Sequence, residues 1–67
     1  MATGTVKFFN TTKGYGFIQP EHGGDDVFVH ITAVQRAGMT GLEQGQRVGY
    51  ELITDRGKTA AGNLQAL

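Results

Sequence analysis

Two short segments of the chain alternate rings with small or branched aliphatic residues at a period of two. They are Lys13-Gly14-Tyr15-Gly16-Phe17-Ile18 and Asp26-Val27-Phe28-Val29-His30-Ile31. In a strand, residues i and i+2 point to the same face. Tyr15 and Phe17 therefore share one face, Phe28 and His30 share another, and Ile18, Val27 and Val29 point the opposite way. Pairing of the two strands with the rings on the same side gives a row of flat surfaces with Lys13 at one end. That geometry suits the stacking of unpaired bases.

The same patterning predicts the other elements. Gly4 to Asn10 has the β-branched and aromatic character of a strand and ends at the turn-prone Asn10-Thr11-Thr12. Tyr15 to Gln19 is a second strand, stopped by Pro20, and Glu21 to Asp25 is rich in turn formers that close a hairpin. Asp26 to His30 is the third strand. Thr32 reads as an N-cap for a single helical turn over Ala33 to Arg36, which Gly38 ends. Ala37 to Gln46 has no sustained period and reads as a long loop. Val48, Tyr50 and Leu52 alternate with Gly49 and Glu51 as a fourth strand. Asp55-Arg56-Gly57-Lys58 is a turn, and Thr59 to Ala66 is a weaker fifth strand.

Five short strands separated by turns predict an all-β fold, a small closed barrel that exposes no sheet edge. Its core is expected from Val6, Ile18, Val27, Val29, Val34, Leu42, Val48, Tyr50, Leu52 and Leu64. Strict alternation puts Lys7 and Phe9 on one face and Val6 and Phe8 on the other, yet a β-bulge can bring both rings near the surface. The pattern leaves open which of Phe8 and Phe9 is buried.

Size limits what this core can do. Residues 1–67 form one domain, and a chain of this length buries only about 60% of the surface its unfolded form exposes. Cysteine is absent, which rules out a disulfide framework and any thiolate metal site. His22 and His30 do not form a metal motif by spacing. The start of the chain lacks a basic stretch followed by an apolar run, and no apolar run approaches a membrane span, so a cytoplasmic chain is expected.

Charge narrows the reading further. Six Lys/Arg balance six Asp/Glu, and the pI is 6.7. A binder that relies on phosphate neutralisation is normally basic. Rings must therefore supply most of any affinity for nucleic acid, with the few cations clustered; Lys7, Lys13, Arg56 and Lys58 are the candidates.

Other readings of the same residues are weaker. If the ring face were the core, Lys13, Asp26 and His30 would be buried with it, and charged residues are poor core members. Val27, Val29 and Ile18 would then be needlessly exposed. Gly14-x-Gly16 as a phosphate loop lacks a following helix to present its amides. These glycines instead relieve crowding between ring positions. No carboxylate pair, activated nucleophile or metal set can be assembled, so no enzymatic activity and no cofactor are expected. A barrel that binds an extended or proline-rich peptide on the same rings is the competing class. Lys7 and Lys13 beside the rings favour an anionic ligand over it.

Lys13-Gly14-Tyr15-Gly16-Phe17-Ile18 resembles an RNP1 motif, and Val27-Phe28-Val29-His30-Ile31 resembles RNP2. An RNA-recognition motif domain has the reverse order and two helices. The order here, with Val6-Lys7-Phe8-Phe9-Asn10, Gly45-Gln46 and Ala60-Ala61-Gly62-Asn63, is similar to the bacterial cold-shock proteins over essentially the whole chain. The resemblance implies a five-stranded antiparallel OB-type Greek-key barrel that binds single-stranded RNA and DNA. It also implies a monomer with weak base preference, acting as an ATP-independent RNA chaperone that influences transcription or translation. By position, the implied binding residues are Lys7, Phe8, Phe9, Lys13, Tyr15, Phe17, Phe28, His30, Ile31, Met39 and Arg56. The family usually has aromatic residues where this chain has Ile31 and Met39, and tryptophan where it has Phe8. All three changes reduce stacking area, so a narrower platform and weaker binding are expected.

Overall fold

A computed structural model describes all of residues 1–67. Its elements in chain order are β1 (Ala2–Asn10), β2 (Tyr15–Pro20), β3 (Val27–His30), α1 (Ile31–Arg36), β4 (Arg47–Asp55) and β5 (Lys58–Ala66). The strands form one antiparallel sheet in the order β3-β2-β1-β4-β5. Three consecutive strands form a meander and the fourth returns beside the first, which is Greek-key connectivity. The sheet curls until β3 and β5 pack against each other, although no hydrogen-bonded ladder joins them. This is the expected small OB-type barrel except in its closure: the pattern predicts a sheet with no exposed edge, and β3 and β5 keep edges that do not pair with each other.

Strand placement follows the alternation. Ile18 and Val29 are fully buried, whereas Phe17 and Phe28, on the other face of the same strands, are only half-buried. The core holds Val6, Ile18, Val29, Val34, Leu42, Val48, Tyr50, Ala61 and Leu64. Eight of these were expected from pattern. Two expected members differ: Val27 only flanks the core, and Leu52 is 58% exposed. Leu52 follows the register shift between Gly49 and Glu51, where the alternation of β4 is interrupted, and its side chain is left in solvent. Ala61, its partner across the hairpin, is buried instead. Alanine carries too weak a pattern signal to be chosen from sequence.

Four of the five strands are longer than pattern alone indicates, because pairing extends them through polar residues; β3 is one residue shorter, starting at Val27 and leaving Asp26 outside the ladder. β4 continues through Ile53, Thr54 and Asp55 to pair with Ala60, Thr59 and Lys58. β1 begins at Ala2: Ala2 to Thr5 pair with β4, while Gly4 to Asn10 pair with β2. Near the shared end of β1, β2 and β4, the carboxylate of Glu21 meets Arg47 at 3.1 Å. An exposed pair of this kind contributes about 0.2–1 kcal/mol.

α1 starts two residues before the expected Ala33, and its N-cap is His30, not Thr32. The His30 Nδ1 accepts a hydrogen bond from the Thr32 backbone N–H, so the chain turns helical as soon as β3 ends. The far end closes as a Schellman motif. Gly38, at φ 82°, donates to the Gln35 carbonyl, and Met39 donates to that of Val34. Through Val34 the helix plugs the barrel between β3 and β5. At this length it is no membrane span.

Gly16 has a packing reason for its identity. A Cβ there would sit 2.6 Å from Phe9 Cδ1 and 2.9 Å from Phe9 Cα, and would also meet the Phe8 carbonyl oxygen. Two of these three atoms are backbone and cannot yield cheaply. Gly16→Ala is expected to destabilise the fold by about 1–3 kcal/mol, read as a lowered urea midpoint at unchanged m-value.

Tyr50 adds a pH dependence. Its ring is buried, and burial pushes its phenol above the ordinary value of 10.0. In alkaline solution the unfolded chain then releases a proton that the folded chain still holds. Stability from this group is therefore complete below about pH 10 and falls as pH rises through the folded value. Urea midpoints measured through this range are expected to drop, and Tyr50→Phe is expected to flatten that drop.

Candidate nucleic-acid interface

Register builds the face. β2 and β3 pair Tyr15 with His30 and Phe17 with Phe28, so four flat groups occupy one two-by-two patch. β1 contributes the fifth. Its ladder to β2 skips a residue between Val6 and Phe8, pairing Val6 with Ile18 and Phe8 with Phe17. Lys7 is the extra residue, and the bulge reverses the alternation beyond it. Phe8 therefore turns outward, 40% exposed, while Phe9 turns inward and packs against the core. This settles the order that pattern left open.

The rings form a continuous cluster. Phe8 lies 5.9 Å from Tyr15 and 5.6 Å from Phe17, centroid to centroid. Phe17 lies 6.2 Å from Tyr15 and 5.9 Å from Phe28. Tyr15 and Phe28 are near-parallel at 16°, and Phe28 leads on to His30 at 6.4 Å. Most other pairs meet edge to face or tilted, the arrangement that ring quadrupoles favour. Sequence suggested a row of flat surfaces; the folded face is a patch whose rings point in different directions. A strand of bases would meet it as separate stacking stations.

Cations border the patch unevenly. Lys7 projects from the bulge and its Nζ meets Asp26 Oδ2 at 3.0 Å. Asp26 shares the alternate face with Phe28 and His30, which is why it reaches the same side. A phosphate approaching Lys7 would compete with that carboxylate. Lys13 is exposed in the β1–β2 turn, where its backbone N–H donates to Asn10 Oδ1 at 2.9 Å.

Arg56 sits at the tip of the β4–β5 hairpin. Arg56 and Gly57 have φ of 53° and 77° between the paired Asp55 and Lys58, the left-handed pair of a two-residue hairpin turn. A non-glycine residue there costs on the order of 1–2 kcal/mol. From the same hairpin, Lys58, Thr59 and Ala60 share a shallow hollow with Phe28. Sequence reading counted Lys58 only among the available cations. Its position next to Phe28 depends on how β5 closes against β3, which local pattern does not encode.

The remaining candidates lie at the margin. Ile31 is half-buried at the start of α1, against Gly14, and Met39 is half-buried with its side chain packed on the core. Neither extends the ring contacts, and Phe9 does not join them. The cluster comprises Phe8, Tyr15, Phe17, Phe28 and His30.

Comparison with known proteins agrees with this geometry. Residues 2–67 match the model of the 'Cold-shock' DNA-binding domain. The chain is 65% identical to a probable cold shock protein y4cH of Sinorhizobium fredii, over 98% of this chain and 99% of that one. It is 57% identical to cold shock protein CspA of Rhizobium meliloti over the same shares. Cold shock protein CspB of Geobacillus stearothermophilus is 55% identical, over 91% of this chain and 92% of its own. With a solvent-facing ring cluster on a small Greek-key barrel and these matches along its length, the chain belongs to the cold-shock domain family of nucleic-acid-binding proteins.

Proposed function

We propose that this protein binds single-stranded RNA and DNA with weak base preference and acts as an RNA chaperone without ATP. Bases stack on Phe8, Tyr15, Phe17 and Phe28, and His30 meets the strand at the edge of this cluster. Lys7, Lys13, Arg56 and Lys58 hold the backbone, and Phe9, Ile31 and Met39 support the rim. The observation behind this reading is the ring cluster itself. Four aromatic side chains and a histidine remain at the surface of a barrel whose fully buried core is aliphatic apart from Tyr50. Leaving such rings wet is costly unless a ligand covers them.

Stacking requires an unpaired base, so binding draws the equilibrium from duplex toward single strand by mass action. Such melting needs no hydrolysis. The protein acts in the cytoplasm as a monomer and binds rather than catalyses, since no group at the patch is set up for bond making. Its effects on transcription or translation follow from which messenger structures it holds open.

A mobility-shift comparison of single-stranded and duplex oligonucleotides tests the reading. Single strands are expected to bind more tightly. Phe17→Ala and Phe28→Ala are each expected to weaken them by about 1–3 kcal/mol. Equal affinity for duplex, or indifference to both substitutions, would overturn it. A proline-rich peptide that shifts the Tyr15, Phe17 and Phe28 proton resonances where oligothymidine does not would favour the peptide-binding alternative.

Salt dependence provides a separate check. With about three phosphate contacts, log K is expected to fall against log salt with a slope of roughly −2. A slope several times steeper would mean that charge, not stacking, dominates.

A further inference from the structure

His30 holds three positions at once. It ends β3, belongs to the ring cluster, and caps α1. The cap determines where its proton sits. His30 Nδ1 lies 3.2 Å from the Thr32 backbone nitrogen and 3.0 Å from Thr32 Oγ1. A backbone N–H can only donate, so Nδ1 accepts and bears no proton. A neutral imidazole has one N–H, which must then be on Nε2. With that lone pair turned to the helix, the Thr32 hydroxyl can approach it only as a second donor.

The ring nitrogens are separated by one carbon, so Nε2 is turned away from both Thr32 contacts. His30 is exposed, and nothing in the protein accepts from Nε2. Its N–H is left available on the same face as Phe28.

We infer that Thr32 is a positioning residue: it locks His30 in the Nε2–H form, making His30 a dedicated hydrogen-bond donor that pairs with acceptor atoms of the bound strand and rejects amino groups. The acceptor is a base carbonyl or a phosphate oxygen. Thymine, uracil, cytosine and guanine all offer a carbonyl, whereas adenine offers only ring-nitrogen acceptors. A face built mainly from stacking, which is tolerant of sequence, thereby gains one polar contact of fixed sense. This inference rests on the single-strand reading for its ligand, but the proton position is a property of the free protein.

Two measurements test it. In the free protein at about pH 8, where an ordinary imidazole is neutral, nitrogen-resolved NMR is expected to show His30 protonated on Nε2. Thr32→Val is expected to loosen that preference, and Thr32→Ser to restore it. A proton on Nδ1 in the parent protein would overturn the inference.

The second is a binding cycle with oligothymidine. His30→Ala is expected to weaken binding about two- to tenfold, the worth of one hydrogen bond, and Thr32→Val by less, because the backbone N–H at position 32 still donates to Nδ1. The double variant is expected to lose no more than His30→Ala alone, because Thr32 acts only through the imidazole. An equal loss from Thr32→Val in the His30→Ala background would overturn the inference, since it would show a merely structural role.

Two ligand arms identify the oxygen. If a single methylphosphonate linkage abolishes the effect of His30→Ala, the acceptor is a phosphate. If an all-adenine strand abolishes it, the acceptor is a base carbonyl. Persistence of the effect in both arms would overturn the assignment of an oxygen as the acceptor. A parent protein that binds no single strand would sink the functional reading and leave the NMR result to decide the tautomer.

Discussion

The interface depends on antiparallel registration between β2 and β3. Because side chains alternate at each step, one register sends Ile18 and Val29 inward and Phe17 and Phe28 outward. A slip of one residue would reverse both sets. Core and ligand face are two sides of the same four-residue ladder, so the forces that select the register also assemble the patch. Burial of the aliphatic side chains contributes the stability, at about 1.5–3 kcal/mol per side chain. The rings ride on the arrangement that this burial fixes.

Much of this was legible from the chain. Period-two alternation is a strong signal where both faces carry distinct residue types, as in Tyr15 to Ile18 and Val27 to His30. It located four of the five cluster members and eight of the nine core residues. Legibility failed where geometry departs from strict alternation or depends on contacts distant in sequence. The bulge at Lys7 cannot be seen in Lys-Phe-Phe. Leu52 continues a hydrophobic period past an irregularity in the β4–β5 pairing, and the approach of Lys58 to Phe28 follows from barrel closure. Thr32 looked like a cap because threonine often is one; the imidazole two residues earlier performs that task.

Charge plays a local part in a protein with no net charge. Lys7 is already committed to Asp26, and Arg47 to Glu21. Only some of the six basic residues therefore stand ready to meet a phosphate without first losing a partner. Such a surface attracts polyanions weakly at long range, and its selectivity for nucleic acid arises at contact. Stacking stations pointing in several directions suit a flexible strand, which can turn from base to base, better than a stiff duplex.

The extra residue at Lys7 also changes what substitution can do to the protein. In a regular strand, Val6 and Phe8 would share a fate, so altering one would disturb the packing of the other. After the bulge, Phe9 belongs to the interior and Phe8 to the surface, although they are chain neighbours. The size of the ring at position 8 can then drift, larger or smaller, without a cavity or an overpacked core as the consequence. A single unpaired residue thus lets ligand preference and folding stability evolve on separate tracks.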